Sequence, residues 1–405
     1  MTHMSDTATI EKTTAPGWEG QTFLVGEKVY IRSFVVGDEK NAQSWRSSIF
    51  PKSPELVEKW IKEELPKAGK KKENHLAIVR KQDDVVVGNI FSYHGTVAND
   101  IRAHVDPLYG EAGQHYLAEA VILVAQWMVD ETFVPTVMLD IGANMDIAIA
   151  ELSAQGFVET ARWREMFEVN GQRFDKVCLA YFSQAWVDRI GNPMDTELPK
   201  TGTGEVRPVP AKVTLDGDPP KQAVMIGKRV YLRPQSKEDA EQFIAGHRKE
   251  TEEIVDIGRK MLTLASWENV VIGEANEDFP RALWFEVCLR EDDTPIGSVG
   301  LMDIDYVHGT AESGSHFYLA EHRGKGYGSE AKHLLFEWAF DVLGLHMLMS
   351  FVLFTNTRSA AALRKQGYTE SGRVCWVYPY AGGFGNFVTF DLLADEWRNL
   401  PRESE

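Results

Sequence analysis

His322-Arg323-Gly324-Lys325-Gly326-Tyr327-Gly328-Ser329 is the stretch from which the rest of the chain can be read. An extended apolar run, Ser315 to Leu319, leads into it, and an amphipathic segment, Glu330 to Leu343, follows at once. Three glycines at alternate positions let a loop turn tightly and bring its amides up against a ligand. A helix starting there aims unpaired N–H groups and the positive end of its dipole at the same place. Arg323 and Lys325 add two cationic arms. Together these residues predict a pyrophosphate cradle between a strand and a helix, with a ligand-free glycine-rich turn as the alternative.

Two other phosphate loops do not fit. There is no Lys-Ser or Lys-Thr pair to close a Walker loop, and the spacing Gly324-x-Gly326-x-Gly328 is not the dinucleotide pattern Gly-x-Gly-x-x-Gly. Downstream, Ala331, Leu334, Leu335, Trp338, Ala339 and Val342 recur at helical spacing and predict one buried face. His346 to Phe354 is apolar at both odd and even positions, as a strand covered on both sides must be. It ends at Thr355-Asn356-Thr357-Arg358-Ser359. A short helix, Ala360 to Gln366, is expected next, closed by Gly367 and Tyr368, with Ser359 as a natural cap.

This ordered set resembles the GNAT acyltransferase superfamily over Val224 to Trp397, and most of all the branch containing the ribosomal-protein N-terminal acetyltransferases. The resemblance implies an α/β (α+β) fold: a mixed, mostly antiparallel sheet with a central parallel pair, flanked by helices. It also implies acetyl-CoA as co-substrate, with no metal. Carried over by position, Arg323, Gly324, Lys325, Gly326, Tyr327, Gly328 and Ser329 hold the pyrophosphate. Phe317 and Tyr318 lie beside the pantetheine arm, and Asn356 and Ser359 stand near the thioester.

Transfer of an acetyl group to an amine needs a deprotonated nitrogen and an exit for the thiolate. A lysine-like amine is mostly protonated at neutral pH, with a pKa of about 10.4, and a general base contributes about 100-fold or more. Glu312, on the strand before the loop, is the candidate base; a surface charge is the alternative. His316 lies on the same face four residues on, as a second base, an orienting group or a packed histidine. The tyrosine that many of these enzymes place in the short helix falls at Leu363, so Ser359 is the implied acid, as in the ribosomal-type branch. That branch's glutamate on the next strand falls at Tyr378, which leaves the dyad incomplete and a ribosomal-protein substrate in doubt. The resemblance places the acceptor among His247, Glu250, Glu252, Glu253 and Asp256 on one side and Trp376, Tyr378, Tyr380 and Phe384 on the other. The acids equally suit a solvated helix face. The aromatics equally suit core packing or a dimer contact.

The 405 residues are long enough for two or three domains. Gly191 to Gln222 holds six prolines and little apolar content and reads as a linker. The halves it separates resemble each other. Gly26-Glu-Lys-Val-Tyr-Ile-Arg32 matches Gly227-Lys-Arg-Val-Tyr-Leu-Arg233, Glu119-Ala120 and Trp127 match Glu330-Ala331 and Trp338, and Asn144 with Gln155-Gly156-Phe157 matches Asn356 with Gln366-Gly367-Tyr368. The offset stays near-constant, which predicts a tandem duplication: a tail over 1–20, a degenerate GNAT-like domain over 21–190, the linker over 191–222 and an acetyltransferase domain over 223–400. Ala112 to Leu117 faces Arg323 to Gly328, with two of three glycines and both cations gone. The N-terminal copy is therefore expected to keep the fold and lose the ligand.

A net charge of −17 argues against a nucleic-acid surface and accords with a cationic amine acceptor, or simply with solubility. No apolar run is long enough to span a membrane, and the polar residues 1–20 lack a secretory pattern. Three scattered cysteines imply neither a disulfide frame nor a metal site and suit a reducing cytoplasm. Paired GNAT folds also occur in peptidoglycan aminoacyl transferases and in mycothiol synthase. A non-catalytic acyl-CoA sensor is the further alternative.

Overall fold

The computed structural model describes residues 24–41, 52–68, 73–93, 99–197, 205–249, 263–265 and 278–404. Glu250, Glu252, Glu253 and Asp256, and the side chain of His247, lie outside the described residues. The architecture is mixed α/β, as expected, and the chain divides into two compact units. The first holds 1–140, 145–158 and 180–184; the second holds 141–144, 159–179 and 185–405.

In the first unit, strands β1 (Val29–Ser33), β2 (Glu73–Arg80), β3 (Val85–Tyr93) and β4 (Asp100–Val105) form an antiparallel meander. Helix α1 (Pro54–Lys59) precedes β2, and β5 (Thr136–Gly142) pairs parallel to β4 at Asp100↔Met138 and Ile101↔Leu139. Between β4 and β5 runs the long helix α2 (Gly110–Thr132), and α3 (Asp146–Ala154) follows. Residues 112–117, which the sequence matches set opposite the glycine loop, are helical from the first turn of α2 onward. The carboxylate of Glu119 on α2 accepts the N–H groups of Lys28 and Val29 (both 2.9 Å). A Cβ on Gly26 would stand 2.6 Å from that carboxylate.

The second unit has the strand order β7-β6-β14-β15-β13-β12-β11-β10-β9-β8. Its strands are β6 (Val158–Val169), β7 (Gln172–Phe182), β8 (Met225–Ile226), β9 (Val230–Pro234), β10 (Leu283–Leu289), β11 (Pro295–Asp305), β12 (Thr310–Phe317), β13 (Met347–Leu353), β14 (Thr369–Tyr380) and β15 (Gly383–Leu393). Among the described residues its helices include α4 (Asp239–Lys249), α5 (Tyr327–Glu337), α6 (Thr357–Lys365) and α7 (Ala394–Arg398). Only β12 and β13 run parallel among the pairs from β8 to β15. The hairpin Glu159–Leu179, which precedes the proline-rich stretch, thus belongs to this sheet. It joins at Gly372↔Ala161, where Gly372 has φ +121° and a Cβ would meet the Thr160 carbonyl at 2.4 Å. Only glycine admits that approach.

β13 is covered on both sides, as its composition requires. Leu348 and Val352 join Leu335, Phe336 and Phe340 in one core, while Met347, Met349 and Phe351 pack with Trp163 and Cys178 in another. Ala331, Leu335 and Ala339 are buried as their spacing predicts, but Val342 is 70% exposed. After Glu337 the helix widens into a π turn in which Leu343 N–H reaches back five residues to the Trp338 carbonyl (3.0 Å). The extra residue rotates the apolar stripe out of register, and sequence periodicity alone carries no sign of it. The proline-rich stretch is docked in part: Val209 is buried in the C-terminal core and exchanges backbone hydrogen bonds with Pro401 and Glu403.

Candidate active site

β12 and β13 pair only at Thr310↔Met347, Ala311↔Leu348 and Glu312↔Met349. Beyond these pairs both strands continue, to Phe317 and Leu353, each still bonded to its outer neighbour. The inner edges therefore diverge into a wedge-shaped cleft with backbone N–H and C=O groups on both walls. An extended chain that itself carries amides satisfies such edges. At the apex, Ser350 Oγ donates to the Ser313 carbonyl (3.2 Å).

The glycine loop lies beyond the end of β12, at the mouth of the cleft. Gly324 and Gly326 have φ +76° and +87°, and Gly326 is the residue before the first turn of α5. Gly328 packs on the Phe317 ring, where a Cβ would stand 3.0 Å from ring carbon. The loop is clamped by Arg229, which sequence reading did not single out. Its guanidinium donates to the Lys325 carbonyl (2.8 Å) and to Glu330 (2.8 Å), and it stacks over Tyr327 at 5.1 Å. Glu330 is buried and also accepts the Arg229 N–H (2.7 Å). The only hint in the sequence was the repeated Glu-Ala pair. Lys325 is exposed, whereas Arg323 folds back to donate to the Phe317 carbonyl (2.9 Å). Ser329 lies in the first turn of α5. These residues fit a pyrophosphate: amides of a helix start, two left-handed glycines and an exposed cation converge on one mouth.

Phe317 and Tyr318 point to opposite faces. Tyr318 is buried with Phe243 and Ile244, and its hydroxyl donates to Glu286 (2.8 Å). Of this pair only Phe317 presents its side chain to the loop. Glu312 and His316 share the Tyr318 face, with Gly314 between them. The Trp284 indole lies over Gly314 and Gly300, where Cβ atoms would stand 2.8 and 2.6 Å from its ring. His316 stacks beside Phe243 at 5.2 Å.

Glu286, Ser298 and His316 lie in one cross-strand row. Glu286 has no exposed surface, and burial, then the charge of Asp239, pushes its carboxyl up to about 8, against hydrogen bonds from Tyr318 and Gln235. Its folded pKa is raised, so the stability it contributes is complete below the unfolded value of about 4.3 and is lost as pH rises through about 8. Glu286→Gln is expected to flatten this fall, whose slope reaches about 1.4 kcal/mol per pH unit. Urea unfolding between those limits measures it, and identical slopes in both proteins would refute the assignment.

Three further buried side chains meet behind the apex: Lys332 Nζ lies 2.7 Å from Ser313 Oγ, which lies 2.6 Å from the Tyr368 hydroxyl. Burial brings Lys332 down to about 7, opposed by the charge of Glu312. The sequence signal was available, because Lys332 stands at i, i+3, i+4, i+7 spacing with Leu335, Phe336 and Ala339.

Ser359 is not the cap of its helix. The helix starts at Thr357, and Asn356 is the cap, its side-chain oxygen accepting the Ser359 N–H (3.1 Å). The better acceptor one turn earlier displaces the expected start at Ala360. Tyr378 lies on β14 against Gly385 and beside the Phe387 ring (5.7 Å). Trp376, Tyr380 and Phe384 instead wall a cavity of about 350 Å³ with Phe354 and Pro193. The structure thus gathers the loop, Phe317 and Ser313 around the cleft and puts Glu312 and His316 on the opposite face of β12. Tyr378 stands in the hairpin. Among the described residues no cluster could hold a metal ion, and no helix is long and apolar enough to cross a membrane.

Residues 229–369 match the family model described as an acetyltransferase (GNAT) domain. The chain is 28% identical over 153 residues to the "Probable N-acetyltransferase YjcK" of Bacillus subtilis (strain 168), covering 36% of this chain and 83% of that protein. It is 30% identical over 113 residues to the "Uncharacterized N-acetyltransferase p20" of Bacillus licheniformis, covering 28% of this chain and 63% of that protein. Among solved structures it is similar to spermidine N-acetyltransferase from Vibrio cholerae in complex with CoA and spermine, at 19% identity and a TM-score of 0.39, covering 42% of this chain and 98% of that one. The cleft and glycine loop described above lie inside the matched residues, which form a GNAT acetyltransferase domain, and the protein is an acetyltransferase.

Proposed function

We propose that the protein is a cytoplasmic, acetyl-CoA-dependent N-acetyltransferase that acts, through its second unit, on an amine of a small molecule or a peptide N-terminus. The observation that carries this reading is the cleft between β12 and β13, open at a loop with two left-handed glycines. Acetyl-CoA, when bound, supplies an activated acyl group. The loop amides, with Lys325, hold the pyrophosphate at the mouth, and the unpaired strand edges orient the amide-bearing arm toward the apex. Glu312 takes a proton from the acceptor nitrogen, with His316 orienting the amine on the same face. The names of the curated relatives support nitrogen as the acceptor atom. The net charge of −17 supports a cationic one. Three buried, unbridged cysteines accord with a reducing compartment.

The first unit is, on this reading, a degenerate copy of the second. Tyr30 and Tyr231 donate to Asp84 and Asp293 (3.2 and 3.1 Å). Arg32 and Arg233 pair with Asp38 and Asp239 (both 2.7 Å), and Glu119 and Glu330 cap the segments before β1 and β9. Where the second unit has its glycine loop, the first has helix.

Calorimetric titration with acetyl-CoA tests this, with one site per chain expected. Two sites would refute the degenerate copy, and none would refute the transferase reading. Glu312→Gln should lower kcat at neutral pH about 100-fold and leave acetyl-CoA affinity intact; unchanged turnover would remove Glu312 from the mechanism.

A further inference from the structure

Lys332 on α5, Ser313 on β12 and Tyr368 after α6 are 3%, 1% and 5% exposed and joined by two hydrogen bonds of 2.7 and 2.6 Å. A lysine buried without a carboxylate in contact costs stability unless something offsets it. The first unit provides an internal comparison. By the offset that relates Glu119 to Glu330, Lys332 corresponds to Val121, and Tyr368 corresponds to Phe157 after Gly156. By the strand register that relates Gly88↔Val105 to Gly297↔Phe317, Ser313 corresponds to Ile101. Val121, Ile101 and Phe157 are 0%, 1% and 3% exposed. The same framework therefore closes over hydrocarbon, and the polar triad accompanies the glycine loop rather than the fold. Ser313 is the first residue past the last β12–β13 pair, so the triad stands at the apex, where a chain threaded from the loop would end.

We propose that Lys332, Ser313 and Tyr368 form a proton relay in which Lys332 protonates the leaving sulfur of the acyl donor. The proposal rests on the acetyl-CoA reading above. As the nitrogen–carbonyl bond forms and the carbonyl–sulfur bond breaks, Lys332 passes a proton through the Ser313 hydroxyl to sulfur. The ammonium nitrogen sheds two protons on the Glu312 face, one before attack and one as the amide forms; water returns one to Lys332 between turnovers and the other is released to solvent, so protons balance. Tyr368 fixes the Ser313 hydroxyl. Groups acting on the relay are Glu312 through space, Asp391 on the Tyr368 side, and His333, which burial brings down to about 4 and which accepts the Trp397 indole N–H (3.2 Å). A Lys332 brought down to about 7 can both give and regain a proton near neutrality.

The test uses CoA itself as probe on the full chain and on the Lys332→Met and Tyr368→Phe variants. The thiol pKa of bound CoA is read from thiolate absorbance, affinity from calorimetry, and folding from the thermal midpoint. Lys332→Met should fold, melt higher at pH 7, bind CoA within about twofold of the parent and raise the bound thiol pKa by at least about one unit. Tyr368→Phe should shift it in the same direction by less. Equal thiol pKa values in parent and Lys332→Met would overturn the relay alone, as would a Lys332→Met protein that melts lower, since the lysine would then be structural. A parent chain that binds no CoA would overturn the acetyl-CoA reading on which the relay rests.

Discussion

Replacing Gly326 with aspartate is expected to weaken acetyl-CoA binding at least 100-fold, about 3 kcal/mol. Two causes act at the same atoms. With φ at +87°, any side chain strains the backbone, at about 1–2 kcal/mol for a non-glycine residue. A Cβ there would stand 3.1 Å from Arg229 Nη2, part of the guanidinium that clamps the Lys325 carbonyl and Glu330. If Arg229 gives way, the loop loses its tie to β9. The added carboxylate also lies where the helix start and Lys325 favour an anion, and about 1–2 kcal/mol of like-charge repulsion follows at short range. Gly344→Asp is the control: φ is +70° there too, but no atom lies within 4 Å of its Cβ position, and it should lower the thermal midpoint without changing affinity. Calorimetry that found Gly326→Asp within threefold of the parent would remove the loop from the binding site.

Arg164→Ala is expected to destabilise the second unit by about 3 kcal/mol. Asp391 is 1% exposed, and the Arg164 guanidinium donates to it from Nε at 2.8 Å while its Nη2 reaches Glu396 at 2.9 Å. After the substitution, only the Ser371 hydroxyl (2.7 Å) and a longer backbone N–H would, among the described residues, face a buried carboxylate. Removing one partner of a buried pair leaves a charge without compensation, which costs more than the pair contributed. Arg164→Ala combined with Asp391→Asn should therefore recover part of the loss, and urea unfolding of the four proteins gives the coupling. Additive effects would mean that the two side chains do not share one interaction. Because Arg164 stands on the hairpin Glu159–Leu179, the same measurement reports how firmly that hairpin is held in the second unit's sheet.

Much of the site was visible in the chain itself, because it depends on short-range rules. Alternating glycines before an amphipathic run imply a strand, a turn and a helix start wherever they occur. An apolar run at both parities implies a central strand. Asn356 and Ser359 announced a helix start, though which of them caps it was settled by one hydrogen bond, 3.1 Å from the Ser359 amide to Asn356. Val342 shows where periodicity stops: a single π turn is a local insertion of spacing and leaves no trace in the pattern of apolar residues.

What the sequence determined by itself was the order of elements around the glycine loop and the short matches between its two halves, since each is written in neighbouring residues. What only the tertiary structure decided were contacts between residues far apart in the chain. The hairpin Glu159–Leu179 enters the second unit's sheet because Gly372 lets two strands approach. Arg229 reaches across about a hundred residues to clamp the loop, from Arg229 to Glu330. Lys332 is buried where its Nζ meets the Ser313 hydroxyl. Burial and long-range pairing depend on which surfaces meet once the sheet has closed, and a linear chain carries the partners without naming the match.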